Sequence, residues 1–391
     1  MKKNKLFIVV TFVVLSGCVT GGVVIPLPTS PAIAKAKFSP PFEVSWTRCL
    51  KPSDEPIEIY PFELSEPVYS DGKIVVGSRS GRVFCFDVIS GTKEWEFKTI
   101  GPVESSAAID GGIVYIGDDE GYLYVLDLKT GGEKWRYRVP EGEVIDRVAH
   151  VDGYVAFATT ANSIALLSDS GEFLWMQAVD PVSSISVRGF GSPVFYNNLV
   201  IAGFADGTLR AFEVATGKPV WRIELKTQGD MRDIDSDPVI SDGTIFTAAY
   251  RGNIYAIDLN QANILWRYDA GSVAAAALGL NMLFYATDSG TVVALDAQSG
   301  KEIWDVDVSR IDMGGAFFKS SLTRYATATV YDDGYLIFGT SRGNLAIVDA
   351  NSGKLVFKRY LSSSISARPL VVENMIVVHT DQDCLYAFVP R

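Results

Sequence analysis

GRVFCFDVISGTKEW, residues 81–95, is a hairpin that ends on a tryptophan, and the chain writes it repeatedly. Residues 121–135 read GYLYVLDLKTGGEKW, and residues 290–304 read GTVVALDAQSGKEIW. The shared pattern is Gly, an alternating apolar run, Asp, a Ser/Thr-Gly turn, then Trp. The seven tryptophans are Trp46, Trp95, Trp135, Trp175, Trp221, Trp266 and Trp304, and five of the last six stand fourteen residues after a glycine. A large residue held at one position of a recurring unit marks an array.

Successive units begin at Gly81, Gly121, Asn162, Gly207, Gly252, Gly290, Gly343 and Asp383, at steps of 40, 41, 45, 45, 38, 53 and 40 residues. Periods of this length belong to propellers and solenoids. A second hairpin runs ahead of the first: PVYSDGKIVVG at 67–77, AAIDGGIVYIG at 107–117, PVISDGTIFTA at 238–248. Val, Ile, Tyr and Phe around D-G or N-N steps signal strands joined by tight turns. Four short strands per unit make a propeller blade. Solenoid repeats of this length mostly carry helices, and no useful stretch has a 3.6-residue period. The expected fold class is all-β: an eight-bladed β-propeller of four-stranded blades.

The turn has a mechanism. In DVISG (87–91) the Asp side chain accepts from the amides that follow, and Gly takes the left-handed conformation that closes the turn. Asp127, Asp258, Asp296 and Asp349 repeat the first role, with Glu213 as a substitute; Gly131, Gly171, Gly217, Gly300 and Gly353 repeat the second. Ala262 stands where the fifth unit should have Gly, so that turn is either strained or relaxed into Asn263.

The seventh unit ends on Phe357, and the eighth (DCLYAFVPR) runs out of chain before its tryptophan. Trp46, in FEVSW, has no upstream partner. Joining the two lets the N-terminal strand complete the last blade and close the ring, which leaves no open array edge. Seven blades is the alternative, if the degenerate third unit (NSIALLSDSGEFLW) is absorbed elsewhere. Each tryptophan is expected to leave its strand and pack on the neighbouring blade.

The first residues read as a leader. Lys2, Lys3 and Lys5 precede the ten-residue apolar run LFIVVTFVVL, too short to span a bilayer and suited to a signal peptide. Leu15-Ser16-Gly17-Cys18 follows and resembles the bacterial lipobox. Residues 1–17 are thus expected to be a lipoprotein signal peptide, with Cys18 lipidated and holding the chain to a membrane. Val19 at the next position, where Asp would signal retention in the inner membrane, favours the outer membrane by the same resemblance. Residues 18–41, with five prolines among Gly, Ala, Ser and Thr, read as a lipid-anchored flexible tether, and 42–391 as the propeller. At about 3.1 Å per residue, the tether reaches up to roughly 70 Å.

Three cysteines remain in a compartment that oxidises thiols: Cys49, Cys85 and Cys384. Cys49 and Cys384 lie on the strands that close the ring and are the best-placed pair. The register read from the sequence sets them one residue out of opposition, so three buried thiols is the expected state.

The net charge is −11, and it becomes more acidic once the leader lysines are gone. That argues against sequence-independent nucleic-acid binding and against electrostatic adhesion to an anionic membrane. His150 and His379 are the only histidines, each within a strand-like run. No H-E-x-x-H, C-x-x-C or G-x-S-x-G occurs. The acidic stretch DMRDIDSDP (230–238) fails the calcium-loop pattern, because Pro238 and Thr244 stand where Gly and Glu are needed. No catalytic, metal or cofactor-binding set emerges, and the chain reads as a non-enzyme.

From Phe42 to Arg391 the repeat resembles the pyrroloquinoline-quinone-like repeat family. Its cofactor-using members carry adjacent cysteines over the quinone, and here no two cysteines are neighbours, so the resemblance implies the scaffold without the cofactor. The lipobox leader, eight units and two loops together resemble a narrower group, the lipoprotein propellers of the bacterial outer-membrane β-barrel assembly machinery. SISVRGFGSPV (184–194) and RDIDSDPV (232–239) are similar to two adjoining loops of that group. The resemblance implies that they dock the periplasmic domains of the barrel-inserting subunit, through Ile185, Val187, Arg188, Asp233 and Asp235. It also implies a place on the periplasmic face of the outer membrane, with nascent outer-membrane proteins as further partners. Ile185 and Val187 alternate with serines, and Arg188 suits a bidentate carboxylate pair. The competing interpretation places Ile185 and Val187 in the core, with the aspartates capping a turn. The insertion VSRIDMGGAFFKSSLTRYATA (308–328) is longer than the group's pattern. The functional alternatives are a periplasmic lipoprotein propeller that binds another protein or ligand and, further off, a quinone-dependent enzyme.

Overall fold

The alternating runs pair within each repeat and not between repeats, so every unit makes its own sheet. The computed structural model describes residues 40–50, 65–179, 191–225, 234, 236–313, 329–331 and 334–391. These hold eight four-stranded antiparallel sheets. Blades 1 to 7 span Val68–Lys98, Ala108–Arg138, Val144–Ala178, Val194–Glu224, Val239–Tyr268, Ala277–Asp307 and Thr329–Tyr360. Blade 8 takes three strands from Leu370–Pro390 and its outermost strand, Phe42–Cys49, from the other end of the chain. Eight blades and the N-terminal closure both stand as expected, and the third unit is a full blade.

The core lies between blades. Val75, Val83 and Trp95 of blade 1, for example, pack with Val114, Tyr124 and Leu126 of blade 2. The second and third strands of each blade are buried on both faces, which is why they read as near-continuous apolar runs.

The tryptophans join the blades. The indole Nε1 of Trp95 donates to Leu128 O of the next blade at 2.8 Å, and its ring lies against Gly131, where a Cβ would stand 2.6 Å from ring carbon. Trp46 makes the same contacts to Val88 O (3.0 Å) and Gly91. Trp135, Trp175, Trp266 and Trp304 repeat the bond, to Asp169, Val214, Ala297 and Ala350. The turn glycine therefore answers two demands, a positive φ and room for an indole. The exception is Trp221. It faces the turn that carries Ala262, which is held at φ 51°, and among the described residues no acceptor meets its Nε1. Of the two conformations open to that turn, the strained one is present. At the other irregular joint, Phe357 packs edge-to-face on Phe42 at 5.5 Å.

The ring closes by the pairing of Phe42–Cys49 with Cys384–Pro390. Its register overturns the expectation of three thiols. Val44 opposes Phe388 and Trp46 opposes Ala387, so Ser45 is an extra residue on the first strand. That one-residue bulge brings Cys49 directly opposite Cys384, and the two form a disulfide with Cα atoms 3.9 Å apart. Cys85 is the free cysteine among the described residues and is buried. Inside the same seam, buried His379 donates from Nδ1 to Ser65 O (2.9 Å) and bonds Asp383 through Nε2 (2.8 Å), while Asp383 accepts from Ser78 (2.5 Å).

A bulge occupies that position in every outermost strand. Glu94, Lys134, Leu174, Val220, Leu265, Ile303 and Val356 are each skipped in the pairing, one residue before the joint tryptophan or its Phe357 replacement. Bulges of this kind twist an edge and interrupt its ladder. The insertion after blade 6 begins as a short helix, Val308–Met313, in which Asp312 accepts from Thr340 and Asn344. Its remainder, 314–328, lies outside the described residues.

Candidate functional site

The two loops singled out by sequence connect blade 3 to blade 4 and blade 4 to blade 5. Ile185, Val187, Arg188, Asp233 and Asp235 lie outside the described residues, as do Cys18, the leader and most of the tether. The described parts of both loops are their bases, and these are fastened to one another. Gly191 N donates to Ile234 O at 3.1 Å, and Ser192 N donates to Asp237 Oδ1 at 2.6 Å. Gly191 is obligatory for this approach, because a Cβ there would stand 2.6 Å from Ser236 O.

Ile234 anchors the second loop. It is fully buried, packed with Ile201, Leu209 and Leu225, and its carbonyl lies where a Cβ on Gly203 would be, at 2.6 Å. An apolar residue inside an acidic loop, RDIDSD, is thus a plug between blades 4 and 5. Ser236 adds a bond to Ala274 O at 2.9 Å, toward blade 6.

The bases belong to a larger feature that sequence reading missed. Glu66, Ser106, Ser192, Asp237, Ala275 and Arg368 stand two residues ahead of the first ladder pair of blades 1, 2, 4, 5, 6 and 8, and Arg147 stands two residues ahead of Ala149, where the inner ladder of blade 3 resumes after an irregularity. Polar members are bonded blade to blade. Glu66 N donates to Ser106 Oγ at 2.9 Å, and Arg147 N donates to Ser192 Oγ at 2.9 Å. Ser106 bridges to Arg147 in parallel, and Ser192 passes on to Asp237. Across this row the Arg147 guanidinium pairs with Glu66, and Arg368 Nε stands 3.5 Å from the other Glu66 oxygen. Burial would raise the Glu66 pKa, but Arg368 and then Arg147 outweigh it and hold the carboxyl below its usual range. Burial likewise opposes the charge on Arg147, and Glu66 and Asp237 outweigh it. A signal existed: four of these residues precede a proline that opens the inner strand, in EPV (66–68), SPV (192–194), DPV (237–239) and RPL (368–370).

Comparison with known proteins agrees with this architecture. Residues 79–306 and 288–389 match the family whose description reads "Outer membrane protein assembly factor BamB". The BamB of Yersinia pestis is 27% identical over 341 residues, covering 82% of this chain and 83% of that protein. The crystal structure of BamB from Moraxella catarrhalis superposes with a TM-score of 0.75 at 19% identity, covering 89% of this chain and 99% of that one. A quinohemoprotein alcohol dehydrogenase from Comamonas testosteroni also superposes, with a TM-score of 0.67 at 14% identity over 89% of this chain and 76% of that one. Shape alone therefore does not separate assembly factors from dehydrogenases; the sequence match does. The chain belongs to the BamB family of outer membrane protein assembly factors.

Proposed function

We propose that this chain is a non-catalytic scaffold that aids the assembly and insertion of β-barrel proteins into the outer membrane. It is anchored through a lipidated Cys18 on the periplasmic face and docks the periplasmic domains of the barrel-inserting subunit. Ile185, Val187, Arg188, Asp233 and Asp235 form the contact. The observation that supports the docking site is the double fastening of the two loop bases, Gly191 to Ile234 and Ser192 to Asp237. Family membership supports the role in assembly, and two loops on rigid blade ends are where a propeller scaffold carries recognition.

The test is photo-crosslinking in cells from positions 187 and 235, with identification of the captured protein. Capture of the barrel-inserting subunit supports the docking role; a different periplasmic partner overturns it. Arg188→Glu should weaken capture without moving the melting temperature, whereas a drop of several degrees makes Arg188 structural. Cys18→Ala should release the protein from membranes; unchanged fractionation removes the anchor from the proposal.

A further inference from the structure

The position two residues before the inner ladder, which in blade 3 is the point where that ladder resumes at Ala149, is polar in six consecutive blades, from blade 8 through blade 5, and is Ala275 in blade 6. The polar row ends at the base of the second docking loop. Packing alone does not call for that distribution, since alanine serves in blade 6. The bonds run in one direction: a backbone amide of one blade donates to the side chain of the next, from Glu66 to Ser106, from Arg147 to Ser192, from Ser192 to Asp237. Asp237 is the last acceptor, and its carboxylate holds the amide of Ser192, the base of the first loop.

Asp237 is also the next carboxylate along the row from Arg147, reached through Ser192, while Glu66 is the carboxylate paired with the Arg147 guanidinium. Glu66 keeps Arg147 occupied and is itself held by Arg368. If Glu66 is made neutral, Asp237 is the carboxylate left to Arg147 along the row, one residue beyond its partner Ser192. A guanidinium drawn to Asp237 competes with Ser192 N for the same oxygen, because charge-assisted bonds outrank neutral ones. The fastening between the loop bases then loosens, although Glu66 touches neither loop.

We infer that Glu66 and Arg147 are positioning residues for the docking loops, with the Glu66–Arg147–Arg368 ion cluster holding Asp237 free to clamp Ser192. This rests on the docking role proposed above for its consequence, but the clamp itself is measurable without a partner.

The experiment compares the full propeller with Glu66→Gln, Asp237→Asn and a control, Asp118→Asn. Asp118 is a buried carboxylate of blade 2 that accepts from Gly101 N, Tyr122 N and Tyr124 Oη and takes no part in the ion cluster. Hydrogen exchange is followed at the Ser192 amide. Glu66→Gln and Asp237→Asn should both speed exchange there by about tenfold or more, and Asp118→Asn should not, even where it lowers the melting temperature as much. Unchanged Ser192 protection in Glu66→Gln, or equal loss in Asp118→Asn, overturns the inference. Affinity for the purified periplasmic domains of the barrel-inserting subunit gives the second readout. Glu66→Gln should weaken it about fivefold to tenfold, and the Glu66→Gln/Arg188→Glu double variant should bind no worse than Arg188→Glu alone. Full additivity overturns positioning. If Arg188→Glu binds like the parent while Ser192 exchange responds as expected, the docking role fails and the clamp stands.

Discussion

Cys49 and Cys384 face each other across the seam where the two ends of the chain meet, and their sulfurs are bonded. The crosslink spans 335 residues of sequence, so it closes nearly the whole propeller into one covalent loop. Long loops are where a crosslink restricts the unfolded chain most. Cys49→Ser should therefore lower unfolding stability by roughly 2–5 kcal/mol. Denaturant unfolding with and without reductant checks this, and equal midpoints would rule it out. Denatured, unreduced protein whose Cys18 is lipidated, as proposed, should yield one labelled thiol, from Cys85. In the folded state burial, with Glu94 nearby, pushes the Cys85 thiol up to about 12, so native labelling should be negligible.

Ala262 is the one turn residue that should be glycine, and Trp221, which faces it, is the one tryptophan without an acceptor among the described residues. One substitution addresses both. Ala262→Gly relieves the left-handed backbone and gives the indole room to reach the carbonyl that its six counterparts reach. The gain should be about 1–2 kcal/mol. A thermal melt that shows no gain breaks the link between the two anomalies.

Gly72 and Gly131 separate backbone strain from joint packing. Both have positive φ, 78° and 70°, but a Cβ on Gly72 meets nothing within 4 Å, whereas one on Gly131 strikes the Trp95 ring. Gly72→Ala should cost about 1 kcal/mol and Gly131→Ala about 2–4 kcal/mol. Trp95→Ala should cost about 3–5 kcal/mol. Equal costs at the two glycines would mean that the indole contact contributes nothing to the joint.

The Glu66 carboxyl is held below its ordinary value of 4.5 by Arg368 and Arg147, against burial. A depressed folded-state pKa contributes stability that is fully present above the unfolded value and is lost as pH falls through the folded one. Stability should thus fall on acidification below about pH 4.5, and Glu66→Gln should flatten that limb while lowering the plateau. Unfolding free energies between about pH 7 and 3 test the sign; a steeper acid limb in the variant contradicts it.

The repeat was legible because its constraints are local. The Asp-to-Gly turn and the tryptophan recur at fixed spacing, and each encodes a φ or a packing partner within one blade of itself. Even the weak third unit folds to the same pattern. The disulfide was not legible because Ser45 itself reads like any strand residue; that a bulge sits just before each joint tryptophan, and so shifts the register by one, emerges only from the pairing. The ion cluster was missed for a different reason. Glu66, Arg147 and Arg368 are far apart in sequence, and only ring closure sets blade 8 beside blade 1. Ile234 was hidden among aspartates, where charge drew the eye from the single apolar residue that fixes the loop.

The interrupted outer strands set a limit on what the rim can hold. In Asn263–Tyr268 the register breaks at Leu265, leaving a regular run from Trp266 to Tyr268. The other rims break at the same place. A foreign strand laid along such a rim gains a few backbone bonds and then falls out of step. Contacts of that length form and dissolve quickly. The thirty-two described strands therefore end in rims that favour short pairings over the continued growth of a foreign sheet.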